Sequence, residues 1–469
     1  MSARLTALLL VFMLSGCTLL GPDFKLPFIN LPKAYPEKDV GAAPSIAVPA
    51  NWWLLYGDPA LDKLVAAGLA NNTDVRRAVA RIEEAEAFMR EVNSASLLPE
   101  IEGNAAAGRA KSSTRTGTLP PSAAAIRNNF ELAARTSFEI DFWGRLRRTR
   151  EAARAQYMAT RYSRDVVAHT LAAGLAQTYF TVRSLDAQII VSEETLAAAG
   201  ESLDITRKRA QAGVVSDLDV YQSDANRAQV AAQLKDLQRS RAAAVHQLGV
   251  LTGMLDLSVP AGDVRQIPSP PLPPAGLPST LLERRPDIRQ AEAALEAANA
   301  QIGVARAAQF PTISLTGALG AQSGELSTLF STGAGIWSIG LGVVGPILDW
   351  GRFAARTEQA EARAKQAALD YEKIAETAFR EVADALSNVR LAAETERDLR
   401  ERVDQALNAL RLSNLRYESG YSAYIEVLDA QRTANDAQLA LVRNRQAYLA
   451  YTVDLMNALG GGWIPPGTP

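Results

Sequence analysis

The chain has 469 residues with 49 basic and 51 acidic side chains, and a formal charge of −2 offers no basic face for a nucleic-acid partner. Hydrophobic residues at 48% and charged residues at 21% exclude general disorder, while sparse aromatics beside abundant Ala, Leu, Glu, Arg and Gln favour long helices. The sole cysteine, Cys17, excludes an intrachain disulfide, and two histidines, His169 and His246, leave almost nothing for a histidine- or cysteine-based metal site.

Arg4 precedes an apolar run from Leu5 to Leu14. Its ten or so residues fall short of the ~20 needed to span a bilayer and suit the core of a signal peptide over residues 1–16. The run ends in Leu14-Ser15-Gly16-Cys17, which resembles a bacterial lipobox. On that resemblance Cys17 carries an N-acyl diacylglycerol and becomes the first mature residue, and its three acyl chains anchor the protein stably. Thr18 stands where an Asp would favour inner-membrane retention, so outer-membrane sorting is expected. The plainer alternative is an ordinary secretory signal with an incidental cysteine. No later segment offers 18 uninterrupted apolar residues, so a mature chain that crosses a membrane must do so as strands closing a barrel.

A first repeat is expected over 17–259. It opens with an N-terminal segment and helices, followed by strands at about 99–111 and 129–142. In the second of these, Phe130, Leu132, Ala134, Thr136, Phe138, Ile140 and Phe142 alternate with Glu131, Ala133, Arg135, Ser137, Glu139 and Asp141. Helical pattern then runs from Arg145 to Ala212, or about 100 Å at 1.5 Å per residue. A reversal at Gly213, where positive φ is free to glycine, returns the chain through a helix over Leu218–Leu251.

Prolines crowd the stretch 260–278, which reads as a semi-rigid linker. No proline occurs between Pro121 and Pro260 or between Pro346 and Pro465.

The second repeat, 279–460, rewrites the first. Trp350-Gly351-Arg352 matches Trp143-Gly144-Arg145, Gly420 matches Gly213, and Glu426 matches Asp219, all at an offset of 207. Strands are expected at about 311–322 and 335–348, a long helix over Arg352–Ser419, a reversal at Gly420 and a return helix over Tyr424–Leu459. Residues 461–469 form a tail. Each long helix carries a seam of three- and four-residue steps, Val182 to Ala210 and Val389 to Tyr417, apolar at seven of nine positions and so of coiled-coil type. Glu396 is the discordant seam position. Four strands of about ten residues match transmembrane β-strands, with Phe142, Trp143, Trp337 and Trp350 near their ends as interfacial aromatics. Four cannot close a barrel, since bacterial barrels need at least eight. Several copies must contribute.

The ordered set Trp52-Trp53, Gly57-Asp58-Pro59-Ala60-Leu61, Phe142-Trp143-Gly144-Arg145, Leu281-Leu282-Glu283-Arg284-Arg285-Pro286-Asp287-Ile288-Arg289 and Leu428-Asp429-Ala430-Gln431-Arg432 resembles the outer membrane factors of the TolC and OprM type, in their lipoprotein branch. The resemblance implies an α+β membrane protein: a homotrimer whose twelve strands form a β-barrel, continued by an α-helical barrel through the periplasm of a Gram-negative cell. It implies a passive exit duct for drugs or other small toxic compounds, partnered by a periplasmic adaptor and an inner-membrane pump of the resistance-nodulation-division class, with no enzyme activity and no cofactor beyond the lipid. Two neighbouring assignments are a type I secretion or metal-efflux channel and a non-channel coiled-coil scaffold. The resemblance also places a periplasmic gate at Tyr417, Glu426 and Asp429, with Asp219 as the first-repeat acid. Arg416 is then the expected ion-pair partner of Asp429, and Ile425 an apolar ring. Some relatives carry an arginine where this chain has Ser422.

Overall fold

A computed structural model describes residues 19–36, 48–113, 115, 124–272 and 281–463. The signal segment with Cys17, residues 273–280 of the linker region and the final residues 464–469 lie outside the described residues. In chain order the elements are α1 (Pro59–Asn71), α2 (Thr73–Leu97), β1 (Glu100–Lys111), β2 (Ile126–Ile140), α3 (Arg145–Gln211), α4 (Asp217–Thr252), α5 (Pro286–Ala307), β3 (Thr312–Ser323), β4 (Gly335–Val344), α6 (Arg352–Glu418) and α7 (Tyr424–Ala458). Among the described residues no helix is long and apolar enough to cross a membrane. Helices α3 and α6 are 67 residues each, displaced by the offset of 207 that the repeats predict.

The chain divides into two compact units. One comprises Met1–Pro27, Ile82–Thr160 and Ala291–Tyr371, and holds the sheet. Its strands are antiparallel in the order β1-β2-β3-β4, so β1 and β4 each pair on one side only. Residues directly opposite share a face, and the register aligns the apolar positions across strands. Ile101, Thr136, Gly317 and Ile339 form one rung; Ala134, Leu319 and Trp337 form another. Further rungs join Phe138, Leu315 and Leu341, then Ile140, Ile313 and Val343. The opposite face carries Glu102, Arg135, Ala318 and Ser338 on one rung and Glu100, Ser137, Thr316 and Gly340 on the next. The apolar face is left bare: Leu319, Ile339 and Leu341 are 70%, 76% and 67% exposed. Ten residues at ~3.3 Å each, tilted ~40° as in barrels, rise ~25 Å, the height of an outer-membrane apolar band.

Two strand ends fall short of the expected 142 and 348, for separable reasons. Asp141 leaves β2 because its carboxylate accepts from Leu146 N and Arg147 N at 3.0 and 2.9 Å, capping α3. Strand β4 stops at Val344 ahead of Gly345-Pro346, since proline has no N–H for a ladder. Asp349 caps α6 through Phe353 N at 2.8 Å. In both repeats the glycine after the tryptophan takes positive φ, +80° at Gly144 and +81° at Gly351. An extended segment before residue 27 is tied to this unit by buried Arg148, which donates to Asp23 at 2.9 Å and to Leu20 O at 3.3 Å.

The other unit comprises Phe28–Arg81, Arg161–Gln290 and Glu372–Pro469, and its fully buried side chains include Trp52, Tyr56, Leu61, Leu175, Tyr179, Phe180 and Tyr424. Helix α1 approaches α3 so closely that a Cβ at Gly68 would lie 2.4 Å from Leu175 Cδ1. Asp186, also buried, accepts from Arg241 Nε and, at 3.0 Å, from Gly262 N, while Arg183 donates to Pro260 O at 2.7 Å. This fixes the start of the linker against the first hairpin. Glu396 finds its reason here as well. Its side chain accepts from Arg400 of its own helix at 2.5 Å and lies 3.6 Å from Arg445 of α7, so a charge occupies the seam because two countercharges flank it.

Candidate functional site

The two helix reversals lie in the same unit, and each ends in a Schellman motif. At the end of α3, Gly213 N donates to Ala210 O at 2.9 Å and Val214 N to Arg209 O at 2.9 Å. At the end of α6, Gly420 N donates to Tyr417 O at 3.1 Å and Tyr421 N to Arg416 O at 2.8 Å. Both glycines take positive φ, +70° and +78°, and neither would bring a Cβ against a neighbour. Conformation alone therefore requires glycine. Gly420→Ala should cost ~1–2 kcal/mol, the left-handed penalty for an L side chain, and Gly420→Asn less; thermal unfolding of the detergent-solubilised protein followed by circular dichroism measures both.

Tyr417 is 6% exposed and packs in a small core with Tyr424, Val427 and Leu428, with Val215 against it. Its ring meets that of Tyr424 edge-on at 5.4 Å. The Tyr424 hydroxyl donates to Ser223 Oγ at 2.9 Å and lies 3.2 Å from Ser202 Oγ, joining the two hairpins. Burial pushes the Tyr417 phenol up, with the Thr206 hydroxyl beside it pulling the other way, so it stays neutral at physiological pH. Tyr417 thus sits beneath the two reversals as packing, not on their exposed face.

The expected pairing of Arg416 with Asp429 is not what the chain forms. Arg416 lies 3.6 Å from Glu426, in the first turn of α7. Asp429, one turn on, is exposed and makes no ion pair within the described residues. Ile425 is exposed, as are Val214, Leu218, Tyr221 and Tyr421. Asp219 is half-buried in the first turn of α4, its N–H bonded to Ser216 O at 3.0 Å. Ser422 is turned in, its hydroxyl buried without a hydrogen-bond partner among the described residues.

Arg209 was not among the expected residues. Its guanidinium stacks over the Tyr417 ring at 4.6 Å and donates to Tyr417 O at 2.8 Å and Glu418 O at 3.4 Å. A first-repeat cation thereby satisfies the last carbonyls of the second-repeat helix, where the helix dipole favours positive charge. The repeat offset that links Gly213 to Gly420 also links Arg209 to Arg416, and that was the available signal. Among the described residues no cluster of histidine, cysteine and carboxylates is placed to hold a metal ion.

The sequence profile described as outer membrane efflux protein matches residues 64–254 and 277–461, once per repeat. The chain is 34% identical to the probable efflux pump outer membrane protein TtgC of Pseudomonas putida, over 96% of this chain and 94% of the relative. It is 33% identical to the cation efflux system protein CusC of Escherichia coli, covering 96% of each. Among solved structures, the CmeC outer membrane channel of Campylobacter jejuni superposes with a TM-score of 0.90 at 26% identity, covering 96% of each chain.

Proposed function

The chain belongs to the outer membrane efflux protein family, whose members are outer-membrane exit ducts rather than enzymes, and from that premise we propose that three copies assemble into one conduit. Four strands from each copy close a twelve-stranded barrel, and the paired hairpins continue it into the periplasm. Cys17 carries the N-acyl diacylglycerol that holds each copy in the outer membrane. A periplasmic adaptor and an inner-membrane pump of the resistance-nodulation-division class load the duct with drugs or other small toxic compounds.

The observation that carries this reading is the bare, in-register apolar face of a sheet whose two edge strands each lack a partner. An exposed sheet edge invites pairing with another chain, and closure by further copies satisfies both edges. The polar face then lines the lumen. The gate assigned to Asp429, Glu426, Asp219 and Ile425 is supported by their exposed or half-exposed positions around the reversals, with Tyr417 setting the packing beneath them. Native mass spectrometry of the purified protein should give three copies, and planar-bilayer recording should give discrete conductance steps. A monomer without conductance overturns the duct. Cys17→Ala should remove the acyl mass from the mature chain while leaving conductance intact.

A further inference from the structure

The two long helices end alike in sequence but not in contacts. Arg209 and Arg416 occupy the same position of their Schellman motifs, each offering its own carbonyl to the residue beyond the glycine. Arg209 reaches sideways across the neighbouring hairpin and caps Tyr417 O and Glu418 O. Arg416 reaches nothing comparable. Its side chain is 58% exposed and lies 3.6 Å from Glu426, beyond hydrogen-bond range.

A duplicated chain arranged in a ring presents each contact twice, once between its own repeats and once between copies. Resting on the three-copy reading above, we propose that Arg416 is the between-copy clamp. It donates to the Ala210 and Gln211 carbonyls at the end of α3 in a second copy of this chain, as Arg209 donates to Tyr417 and Glu418 within one. The offset of 207 fixes those acceptors, since Ala210 and Gln211 are the counterparts of Tyr417 and Glu418. The between-copy clamp has no ring to stack on, because Ala210 stands where Tyr417 stands. The tip therefore has two kinds of seam, and the weaker one runs between copies.

The test uses the full acylated chain, in which Cys17 is occupied and no other native thiol exists. Arg209→Cys with Glu418→Cys, treated with a short bis-maleimide, should link within one chain and run at monomer mass on a denaturing gel. Arg416→Cys with Gln211→Cys should give covalent dimers and trimers. If the second pair yields monomer mass only, while the first links and native mass still reports three copies, the clamp is wrong and the duct stands. A native mass other than three copies removes the duct reading and the clamp with it. A second readout is resting conductance, which Arg416→Ala should raise several-fold and Arg416→Lys should largely restore. An unchanged conductance for Arg416→Ala in an intact trimer overturns the clamp.

Discussion

Ile339→Arg should abolish stable assembly, whereas Ser338→Arg, one residue away, should be carried with little loss. Ile339 sits at the middle of β4, 76% exposed, on the apolar rung with Ile101, Thr136 and Gly317. A charge on the lipid face near the bilayer centre costs ~2–4 kcal/mol per strand, and a ring of three copies meets that cost three times over. Ser338 lies on the opposite face, on the rung with Glu102, Arg135 and Ala318. There an added arginine finds water and an acid two strands or more away. Heat-modifiable mobility on gels and the yield of membrane-inserted protein measure both variants. Equal behaviour of the two would mean that the apolar face does not contact lipid.

Arg285→Ala should destabilise the helical unit by ~2–3 kcal/mol, the scale of losing charge-assisted hydrogen bonds whose acids, Asp287 and Glu381, still reach solvent. Arg285 is 8% exposed. It forks onto Asp287 at 3.0 and 2.6 Å, meets Glu381 at 2.8 Å and donates to Ala458 O at 3.1 Å. One guanidinium thereby joins the start of α5, the middle of α6 and the end of α7. Lysine keeps the charge but cannot reproduce the fork, so Arg285→Lys should fall between wild type and alanine in a denaturant titration. Wild-type stability in Arg285→Ala would show that the three elements hold together without it.

The long helices, the strand faces and the two reversals were legible because each leaves a period or a glycine in the sequence. The repeat offset placed α3 and α6, and the alternation beginning at Phe130 assigned the apolar face that the register then aligned across strands. What escaped was contact between residues far apart in sequence. Arg209 reaches a carbonyl 208 positions away, and no local pattern records that choice. Within one chain Arg416 faces Glu426 and not Asp429, because spacing along a helix does not tell which side chain faces the end of the preceding one. Glu396 is paired locally by Arg400 four residues on, and the sequence shows that spacing, but its second countercharge, Arg445, lies far along the chain. Strand ends were overrun where Asp141 is used as a cap and where Pro346 ends the ladder.

The sheet order carries a genetic consequence. Its open margins belong to different repeats, β1 to the first and β4 to the second, so each subunit in the proposed ring joins one neighbour by its amino-terminal half and the other by its carboxy-terminal half. A lesion confined to one margin then breaks a joint that no sound neighbour can mend. Cells making equal amounts of normal and defective product would retain about one wholly normal ring in eight under random mixing of three subunits. An allele that damages the β4 margin should therefore be dominant, sensitising the cell even beside an intact gene.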